Sequence, residues 1–545
     1  MKKLTIALFL AVSVITLPYT FLLTTTESKE IGLLTQERSL GKRSDAIDMV
    51  ISPDCKRVAY VRDISDMKSV KMLVVVDGKE SREYNFVEKG GLVFSPDSKR
   101  IAYVALIQKN FVVVDGLEGK SYDGIGTPVF SPDSKRIAYR VCTTRQFLPR
   151  QPEVASSSDE AFSINPVIPI EKWAVVVDGK QGKEEYDWIE DPVFSPDSRR
   201  LAYVAMNAVA SRAGDYFVIL DGEEGKSYNS IRSLAFSPDS KQVVYIAQRA
   251  DKWLLVADGK EGKEYDSFGG EYGKSIVFSP DGGRIAYVAQ RSGKWFVVVD
   301  NEEGREYDFV AVTDFSPDGK HIGYIAAVFD SKREAVVKRL AVVDKTEYED
   351  SFVPIFRPDG NLGAYTVVRD NKPVAFVVNG VKEKEYEEVK ESVIFSPDGK
   401  RMAYVAKRNG KEFAVVDGTE GKEYDSVCIP VFSPDSKRIV YVVEQGGKTL
   451  AVIDGIEGKE YNTIWMSKEM GDSKRVAAFS SDSKHIAYVA MNDDVEWFIV
   501  VDGVEGEKYD MFMSNKLVFD NPNLLYGLAT RNNEILYVEV KIVDE

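Results

Sequence analysis

Apolar residues occur along the chain in short runs separated by polar turn sequences, and no stretch after residue 30 has the spacing of an amphipathic helix. A typical unit begins with an apolar run ending in the turn FSPDSK, as at Phe94, and continues with RIAYVA from Arg100. A third run ends in VVDG, as at Val113, and a short polar segment ending in YD completes the unit. Pro, Asp and Gly at these turns are typical of tight hairpins. Each unit therefore predicts four short strands joined by three connections.

The unit recurs along almost the whole chain, mostly every 36 to 47 residues, with one interval of 64 that must contain an insertion. The Asp of the S-P-D turn marks eleven clear copies, at Asp54, Asp97, Asp133, Asp197, Asp239, Asp281, Asp318, Asp359, Asp398, Asp435 and Asp482. A degenerate twelfth copy follows at Leu517 to Pro522. The second and third runs are apolar at nearly every position, so both faces of each sheet must be covered, and only neighbouring sheets are available to cover them. Tyrosine fills two positions of the unit, which predicts packing between sheets.

This pattern predicts an all-β fold, a tandem β-propeller of about twelve four-stranded blades. Rings usually close with four to eight blades, so the favoured arrangement is two six-bladed propellers, residues 29–312 and 313–545. The boundary is placed near Val312 because the neighbouring units are the most degenerate. Seven plus five blades and a single large ring are the alternatives. The last unit lacks a fourth strand, which residues 32–40, GLLTQERSL, can supply as a strap, and such a strap favours one ring or interlocked rings.

The phrase FSPDSKRIAY, followed by a strand ending in VVDG, resembles the TolB-type, WD-like β-propeller repeat. The resemblance covers nearly the whole chain after residue 45. It implies periplasmic or extracellular propellers that act mainly as protein-binding platforms, and related blades also occur as gating domains of serine peptidases. The chain departs from TolB in having no separate N-terminal α/β domain and about twice the usual six copies, so the partners of TolB are not carried over.

Composition and the N-terminal residues indicate an acidic, exported protein. The 545 residues carry a formal net charge of −15, which disfavours binding to nucleic acid and to anionic membranes. Lys2 and Lys3 precede an apolar run from Leu4 to Leu23, which is typical of an export signal. Residues 1–28 are therefore expected to be a signal peptide, with an uncleaved membrane anchor as the alternative. The expected location is periplasmic or extracellular.

The sequence offers little for catalysis, and we expect no enzyme, cofactor or metal site. No G-x-S-x-G elbow, phosphate loop, calcium loop or zinc motif occurs. His321 and His485 occupy the Lys/Arg position three residues after the repeated Asp and are assigned to turns. The cysteines, Cys55, Cys142 and Cys428, are isolated and predict neither disulfides nor a metal cluster. A glycosidase pair of carboxylates assembled from different blades stays open.

Function is expected where the copies differ. The S-P-D and D-G turns lie on one face of the propeller, and the more variable connections lie on the other, where a rigid scaffold places binding loops. The largest variation is the insertion from Cys142 to Lys172, interpreted either as a partner-contacting arm or lid or as a mobile excursion.

Four aromatic residues on the variable side are candidate partner-binding residues. They are Trp188, Trp465, Phe147 and Phe162, and for the two tryptophans buried packing is the alternative. Four further tryptophans share one register before the third-strand Asp and are assigned to the core: Trp173, Trp253, Trp295 and Trp497.

The leading functional hypothesis is an exported, non-catalytic propeller scaffold that binds a protein of the cell envelope through its variable face. A glycan-binding or glycan-cleaving propeller, in which Trp188 and Trp465 stack on sugar rings, is the second hypothesis. The third is a structural or surface-display protein, which an uncleaved N-terminus would favour.

Overall fold

A computed structural model describes most of the chain as β-strands. The described residues are 31–43, 46–66, 69–148, 168–182, 185–209, 212–269, 275–330, 335–370, 372–390, 393–465, 477–513 and 517–544. Within these ranges there are 56 strands and no α-helix. No described segment is a helix long and apolar enough to cross a membrane.

The strands form twelve antiparallel sheets, which are the blades. Blade 1 contains β2 (Ala46–Ile51), β3 (Val58–Asp63), β4 (Met72–Val76) and β5 (Lys79–Glu80). Blade 2 contains β6 (Phe86–Val87), β7 (Val93–Phe94), β8 (Ile101–Leu106), β9 (Asn110–Val114) and β10 (Leu117–Glu118). Blade 3 contains β11 (Gly124–Ile125), β12 (Val129–Phe130), β13 (Ile137–Leu148), β14 (Ile168–Val177) and β15 (Lys180–Gln181). Blade 4 contains β16 (Trp188–Ile189), β17 (Val193–Phe194), β18 (Leu201–Val209), β19 (Arg212–Leu220) and β20 (Glu223–Glu224). Blade 5 contains β21 (Ser230–Phe236), β22 (Val243–Arg249), β23 (Lys252–Ala257) and β24 (Lys260–Tyr265). Blade 6 contains β25 (Ser267–Phe268), β26 (Ile276–Phe278), β27 (Ile285–Arg291), β28 (Lys294–Val299) and β29 (Glu302–Glu303).

The second half of the chain continues the same order. Blade 7 contains β30 (Phe309–Phe315), β31 (Ile322–Asp330), β32 (Ala335–Val343) and β33 (Thr346–Glu349). Blade 8 contains β34 (Ser351–Phe356), β35 (Leu362–Arg369), β36 (Lys372–Val378) and β37 (Val381–Lys382). Blade 9 contains β38 (Glu388–Val389), β39 (Ile394–Phe395), β40 (Met402–Arg408), β41 (Lys411–Val416) and β42 (Thr419–Glu420). Blade 10 contains β43 (Ser426–Val427), β44 (Val431–Phe432), β45 (Ile439–Gln445), β46 (Lys448–Ile453) and β47 (Ile456–Glu457). Blade 11 contains β48 (Thr463–Ile464), β49 (Ala478–Phe479), β50 (Ile486–Met491), β51 (Trp497–Val501) and β52 (Val504–Tyr509). Blade 12 contains β53 (Met511–Phe512), β54 (Val518–Asn521), β55 (Leu524–Arg531) and β56 (Glu534–Asp544), together with β1 (Ile31–Lys42) from the start of the chain. In eight blades the innermost strand is split into two short pieces that pair with the same second strand.

The two ends of the chain meet in blade 12. Strand β1 pairs antiparallel with β56, from Ile31 opposite Asp544 to Lys42 opposite Glu534, and so supplies the fourth strand. The predicted strap is therefore confirmed, and the strand is slightly longer than residues 32–40. Closing the ring through the first strand satisfies backbone groups that an open edge would leave exposed.

The all-β propeller of twelve four-stranded blades is confirmed, and its blades form one ring. Blade 12 packs on blade 1 through a buried cluster that includes Leu528, Ile535, Tyr60 and Leu73. Blades 6 and 7, at the predicted boundary, pack on each other in the same way through one continuous cluster. The single ring is thus observed instead of the two six-bladed propellers that we favoured, because the strap and this cluster join the last blade to the first.

The predicted domain limits do not coincide with an interruption of the ring. Val312 lies inside β30, the innermost strand of blade 7. Whether residues 29–312 and 313–545 are separate folding units stays a prediction, and residues 1–28 lie outside the described residues.

The repeated turn residues join each blade to the next on the face that carries the S-P-D and D-G turns, here called the uniform face. In blade 2, Asp97 accepts hydrogen bonds from the Ser95 hydroxyl at 2.7 Å and the Lys99 backbone N–H at 3.1 Å. Its own N–H donates to the Ser134 hydroxyl of blade 3 at 2.9 Å. Arg100 Nη1 donates to the Ser134 and Lys135 carbonyls, at 3.2 and 3.1 Å, and Nε pairs with Asp115 at 2.9 Å. The repeated Asp, Ser and Arg residues of these turns therefore have a structural role, since they hold each blade to the next.

The repeated tyrosines join the blades near their outer edge, as the sequence predicts. The Tyr265 hydroxyl of blade 5 donates to Glu303 on the outer strand of blade 6 at 3.0 Å. The same bond between successive blades is made by the pairs Tyr186–Glu224, Tyr228–Glu261, Tyr307–Glu347, Tyr386–Glu420 and Tyr424–Glu457. These side chains fix the stacking of the sheets and leave recognition to other positions.

Candidate partner-binding face

The face opposite the uniform face, here called the variable face, carries the hairpins between second and third strands and the connections between blades. Because consecutive strands are antiparallel, these two kinds of connection always lie at the same end of a blade. Among the hairpins whose turns are fully described, the turn varies from two residues at Ser292 and Gly293 to five residues from Asn492 to Glu496. The variable face is therefore uneven, whereas the uniform face repeats the same two turns.

Blades 3 and 4 carry long hairpins that extend the variable face. Strands β13 and β14 have 12 and 10 residues, against 7 and 6 for β22 and β23 of blade 5. Five additional residues in β13 extend the hairpin by about 17 Å. Both ends of the predicted insertion are therefore strand, paired from Cys142 opposite Trp173 to Leu148 opposite Ile168. Arg145 and Glu171 form a cross-strand ion pair of 2.7 Å in this arm.

Two candidate residues lie on or beyond this arm. Phe147 is in β13 opposite Pro169, and its side chain is outside the described part of the structure. Phe162 falls in 149–167, which also lies outside the described residues. Both remain predictions as partner-binding residues.

Trp188 opens the innermost strand of blade 4 and is half-buried. Its ring meets that of Tyr216 edge-on, with centroids 6.4 Å apart, and packs against the cluster between blades 4 and 5. Trp465 lies on blade 11, so the structure does not bring the two tryptophans together. Packing accounts for Trp188, and its role in partner binding stays a prediction.

Trp465 lines a surface pocket between blades 11 and 12. Its ring lies 5.1 Å from that of Trp497, centroid to centroid, with the planes inclined by 55°. Thr463, Asp510 and Met511 complete the lining of a space of about 270 Å³. The four tryptophans assigned to the core on their shared register, Trp173, Trp253, Trp295 and Trp497, are all half-buried and pack at the edge of core clusters. Trp497 in addition forms a wall of this pocket.

Charged groups from three blades lie near one another: Glu88 of blade 2, Arg140 on the second strand of blade 3, and Asp191 of blade 4. Arg140 Nε donates to Asp191 at 2.8 Å, and Nη1 donates to the Ile189 carbonyl at 2.9 Å. Burial raises the pKa of Glu88, and the Arg140 charge opposes this rise. Arg140 thus joins blade 3 to blade 4 and lies near the carboxyl groups of Glu88 and Asp191. The carboxylate pair that the sequence left open stays a prediction.

The histidines and cysteines occupy structural positions. His321 Nδ1 lies 2.7 Å from Asp344 and His485 Nδ1 lies 2.6 Å from Asp502, which is the place of the Arg–Asp pair in other blades. None of the three cysteines forms a disulfide, and burial raises the pKa of Cys142 and of Cys428. Within the described ranges, no group of three His, Cys, Asp or Glu side chains is arranged to hold a metal ion.

Comparisons with known proteins give matches among solved structures only. No protein-family model and no curated protein matches the chain. TolB from Acinetobacter baumannii is 19% identical with a TM-score of 0.19, over 48% of this chain and 62% of that one. Pyrococcus horikoshii acylaminoacyl peptidase is 13% identical with a TM-score of 0.25, over 68% and 59%. The β-propeller domain of the Trilobed protease from Pyrococcus furiosus is 12% identical with a TM-score of 0.23, over 59% and 94%.

These similarities concern the fold alone. The chain spans about six tenths of the length of TolB and of the acylaminoacyl peptidase. The predicted TolB-like propeller is confirmed by the twelve blades of the chain itself. The neighbours thus include TolB, an acylaminoacyl peptidase and the propeller domain of a protease.

Proposed function

We propose that the protein is an exported, non-catalytic scaffold that binds a protein of the cell envelope through its variable face. The observation that carries this proposal is the contrast between the two faces. On the uniform face the turn Asp, Ser and Arg side chains bond to their own or the next blade, as Asp97 and Arg100 do. On the variable face the blades differ in hairpin length and in exposed side chains, which is how a rigid scaffold presents a binding surface.

Exposed apolar side chains at the hairpin turns support this assignment. Val70 and Val495 are each 60% exposed, Phe329 is 46% exposed and Val336 is 39% exposed, all at or beside turns of the variable face. Phe329 and Val336 lie opposite each other in the β31–β32 hairpin of blade 7, and neighbouring exposed apolar side chains are typical of surfaces that other proteins cover. On the uniform side, Leu117, Val381 and Ile456 are also exposed, but they lie singly at corresponding positions of blades 2, 8 and 10.

The N-terminal sequence supports a partner in the cell envelope. An export signal at residues 1–28 would place the propeller outside the cytoplasm, and cleavage there would leave β1, which begins at Ile31, free to close the ring. An acidic protein with a net charge of −15 favours partners with basic surfaces.

Capture from an envelope extract with tagged variants tests the proposal. One variant replaces residues 146–170 by Asn-Gly, which joins the paired residues Arg145 and Glu171 through a tight turn. The other is Phe329→Ser in blade 7, and the matched control is Leu117→Ser on the uniform side. We expect the wild type and the control to capture the same partner, and at least one variable-face variant to lose it. Capture of no partner by the wild type, or equal capture by all four proteins, would contradict the proposal.

Glycan binding is the second candidate, because Trp465 and Trp497 line a surface pocket. Stacking of a sugar on an aromatic ring needs an exposed flat face. A glycan array probed with the wild type and with Trp465→Ala tests this candidate: a saccharide bound only by the wild type supports it, and an array without signal removes it.

A further inference from the structure

The pocket between blades 11 and 12 lacks a lysine that is present at the equivalent place in three other blades. In blades 3, 5 and 6 a lysine directly precedes the tryptophan of the third strand and pairs with the Asp of the following connection. The three pairs are Lys172–Asp187 at 2.7 Å, Lys252–Asp266 at 2.6 Å and Lys294–Asp308 at 2.5 Å. In blade 11 the residue before Trp497 is Glu496, and Glu496 pairs with Lys508 at 2.6 Å. Asp510 occupies the place of the three paired aspartates, and the lysine that pairs with them is replaced by Glu496 in blade 11.

In two other blades an arginine stacks on this tryptophan, and blade 11 has neither. The two arginines come from different strands: Arg232 from the innermost strand, and Arg140 from the second strand, where blade 11 has Val489. Arg232 lies 4.2 Å from the centroid of Trp253 in blade 5, and Arg140 lies 5.2 Å from that of Trp173 in blade 3. Arg232 follows Ile231 on the innermost strand of its blade, and in blade 11 the residue at that position is Trp465. Trp497 therefore faces a second aromatic ring where Trp253 faces a guanidinium group.

The remaining carboxylate is held in place and points to a cationic ligand. Asp510 Oδ2 accepts the backbone N–H of Asn532 at 2.8 Å, the same bond that Asp266 accepts from Ser292 at 2.7 Å. In blade 5 the other oxygen of Asp266 receives the lysine, and among the described residues no cation pairs with Asp510. Two half-buried aromatic rings beside an anchored carboxylate attract a cation through the ring faces and the charge.

We propose that this pocket binds the guanidinium group of an arginine side chain on the protein partner. The inference rests on the proposed function and adds the chemistry of the partner. Arginine is favoured over lysine because both cations stacked on the equivalent tryptophans, Arg140 and Arg232, are arginines. A planar guanidinium group stacks on indole rings and donates to a carboxylate at the same time.

Titration with a single arginine derivative tests the pocket without the partner. The six tryptophan indole N–H signals are followed by NMR, and those of Trp465 and Trp497 are assigned from the Trp→Phe variants. The probes are N-acetyl-arginine amide and its uncharged analogue N-acetyl-citrulline amide. We expect the arginine probe to shift the Trp465 and Trp497 signals in a saturable manner and the citrulline probe to leave them unchanged, since only the guanidinium group is charged.

Two variants with the same change in net charge complete the test. Glu496→Lys restores the lysine of other blades, which should pair with Asp510 and weaken arginine binding roughly tenfold. Asp251→Lys, in the corresponding turn of blade 5, should leave arginine binding unchanged. Unchanged signals of the other four tryptophans show that each variant is folded.

The inference is overturned if the arginine probe shifts neither Trp465 nor Trp497, if citrulline shifts them equally, or if Glu496→Lys binds arginine as tightly as the wild type. Partner capture separates this result from the proposed function. If arginine binding fails while the wild type still captures a partner through the variable face, the proposed function stands and only the arginine pocket is lost.

Discussion

The hydroxyl of Tyr509 donates a hydrogen bond of 2.7 Å to Oε1 of Glu37, which lies 472 residues earlier in the chain. In blade 5 the equivalent Tyr265 bonds to Glu303 on the outer strand of the next blade. Strand β1 thus replaces the outer strand of blade 12 and also provides the acceptor that the repeated tyrosine requires. Glu37 additionally pairs with Arg531 of blade 12. Ring closure therefore uses the same side-chain contact that joins the other blades.

Glu37→Ala should weaken ring closure. The substitution removes the hydrogen-bond acceptor of Tyr509, which is buried, and also removes a partner of Arg531. We therefore expect the free energy of unfolding to fall by about 1 to 3 kcal/mol. Urea denaturation monitored by circular dichroism measures the change. Gln36→Ala, an exposed neighbour on the same strand, is the control and should stay within about 0.5 kcal/mol of the wild type. Equal losses for the two variants would show that the Glu37 contact has no special role.

Arg100→Lys should destabilise the contact between blades 2 and 3. A lysine at this position keeps the charge near Asp115 but lacks the planar group that also reaches the Ser134 and Lys135 carbonyls and covers Phe130. We expect a loss of about 2 kcal/mol in the free energy of unfolding, again from urea denaturation.

Lys99→Ala is the matched control for Arg100→Lys, because Lys99 is adjacent in the chain and its side chain is 82% exposed. Its effect should be within about 0.5 kcal/mol. If Arg100→Lys were as mild as this control, the repeated arginine would not be a structural link between blades.

Stability should fall steeply in acid. Hydrogen bonds from the turn Ser hydroxyl and a backbone N–H lower the pKa of the repeated aspartates, as in Asp97, and the pKa of Asp239 falls from 3.8 to about 2. A carboxyl group whose pKa is lower in the folded state stabilises the fold above its unfolded pKa, and this contribution is lost as the pH falls to the folded value. We therefore expect the melting temperature to be nearly constant above pH 5 and to drop between about pH 4 and pH 2.

Thermal unfolding at pH 7, 5, 4, 3 and 2 measures this profile. The pKa of Glu303 is also lowered to about 2, first by its bond to Arg291, so the outer edge of the ring adds to the same loss. A melting temperature that stayed constant down to pH 2 would contradict the assignment of these aspartates to hydrogen-bonded turns.

The parts of the fold that the sequence predicts are those that many copies repeat. The S-P-D turn, the Tyr265 position and the strap at residues 32–40 each follow from comparing units within one chain. The number of rings does not follow in this way, because the angle between packed sheets decides how many blades close a ring. Side-chain packing between blades, such as the cluster that contains Leu528 and Tyr60, sets that angle.

The candidate site was predicted only in part, for a related reason. Trp465 was recognised because it occurs once, whereas Trp497 was missed because three other blades have a tryptophan in its register. The signal that would have identified Trp497 is its neighbour Glu496, which stands where three other blades have lysine. The insertion of blade 3 was interpreted as an arm or lid or as a mobile excursion because of its length, and the pairing of its two ends as strands β13 and β14 was not predicted.

The mature protein should begin close to residue 29. Cleavage after the apolar run removes the signal and leaves Ile31, the first residue of β1, available to pair with β56. Mass spectrometry of the intact exported protein measures the terminus. Retention of Met1 would favour the anchor and the surface-display alternative, and cleavage beyond Lys42 would remove the strand that closes the ring.

The central claim is that recognition takes place where the blades differ. Hydrogen–deuterium exchange of the protein with and without its captured partner tests this claim most directly, because each hairpin and turn gives separate peptides. We predict protection in the variable-face hairpins, above all in β13 and β14 and around Trp497, with unchanged exchange in the S-P-D turns such as Ser95 to Arg100. Protection confined to the S-P-D and D-G turns would contradict the account.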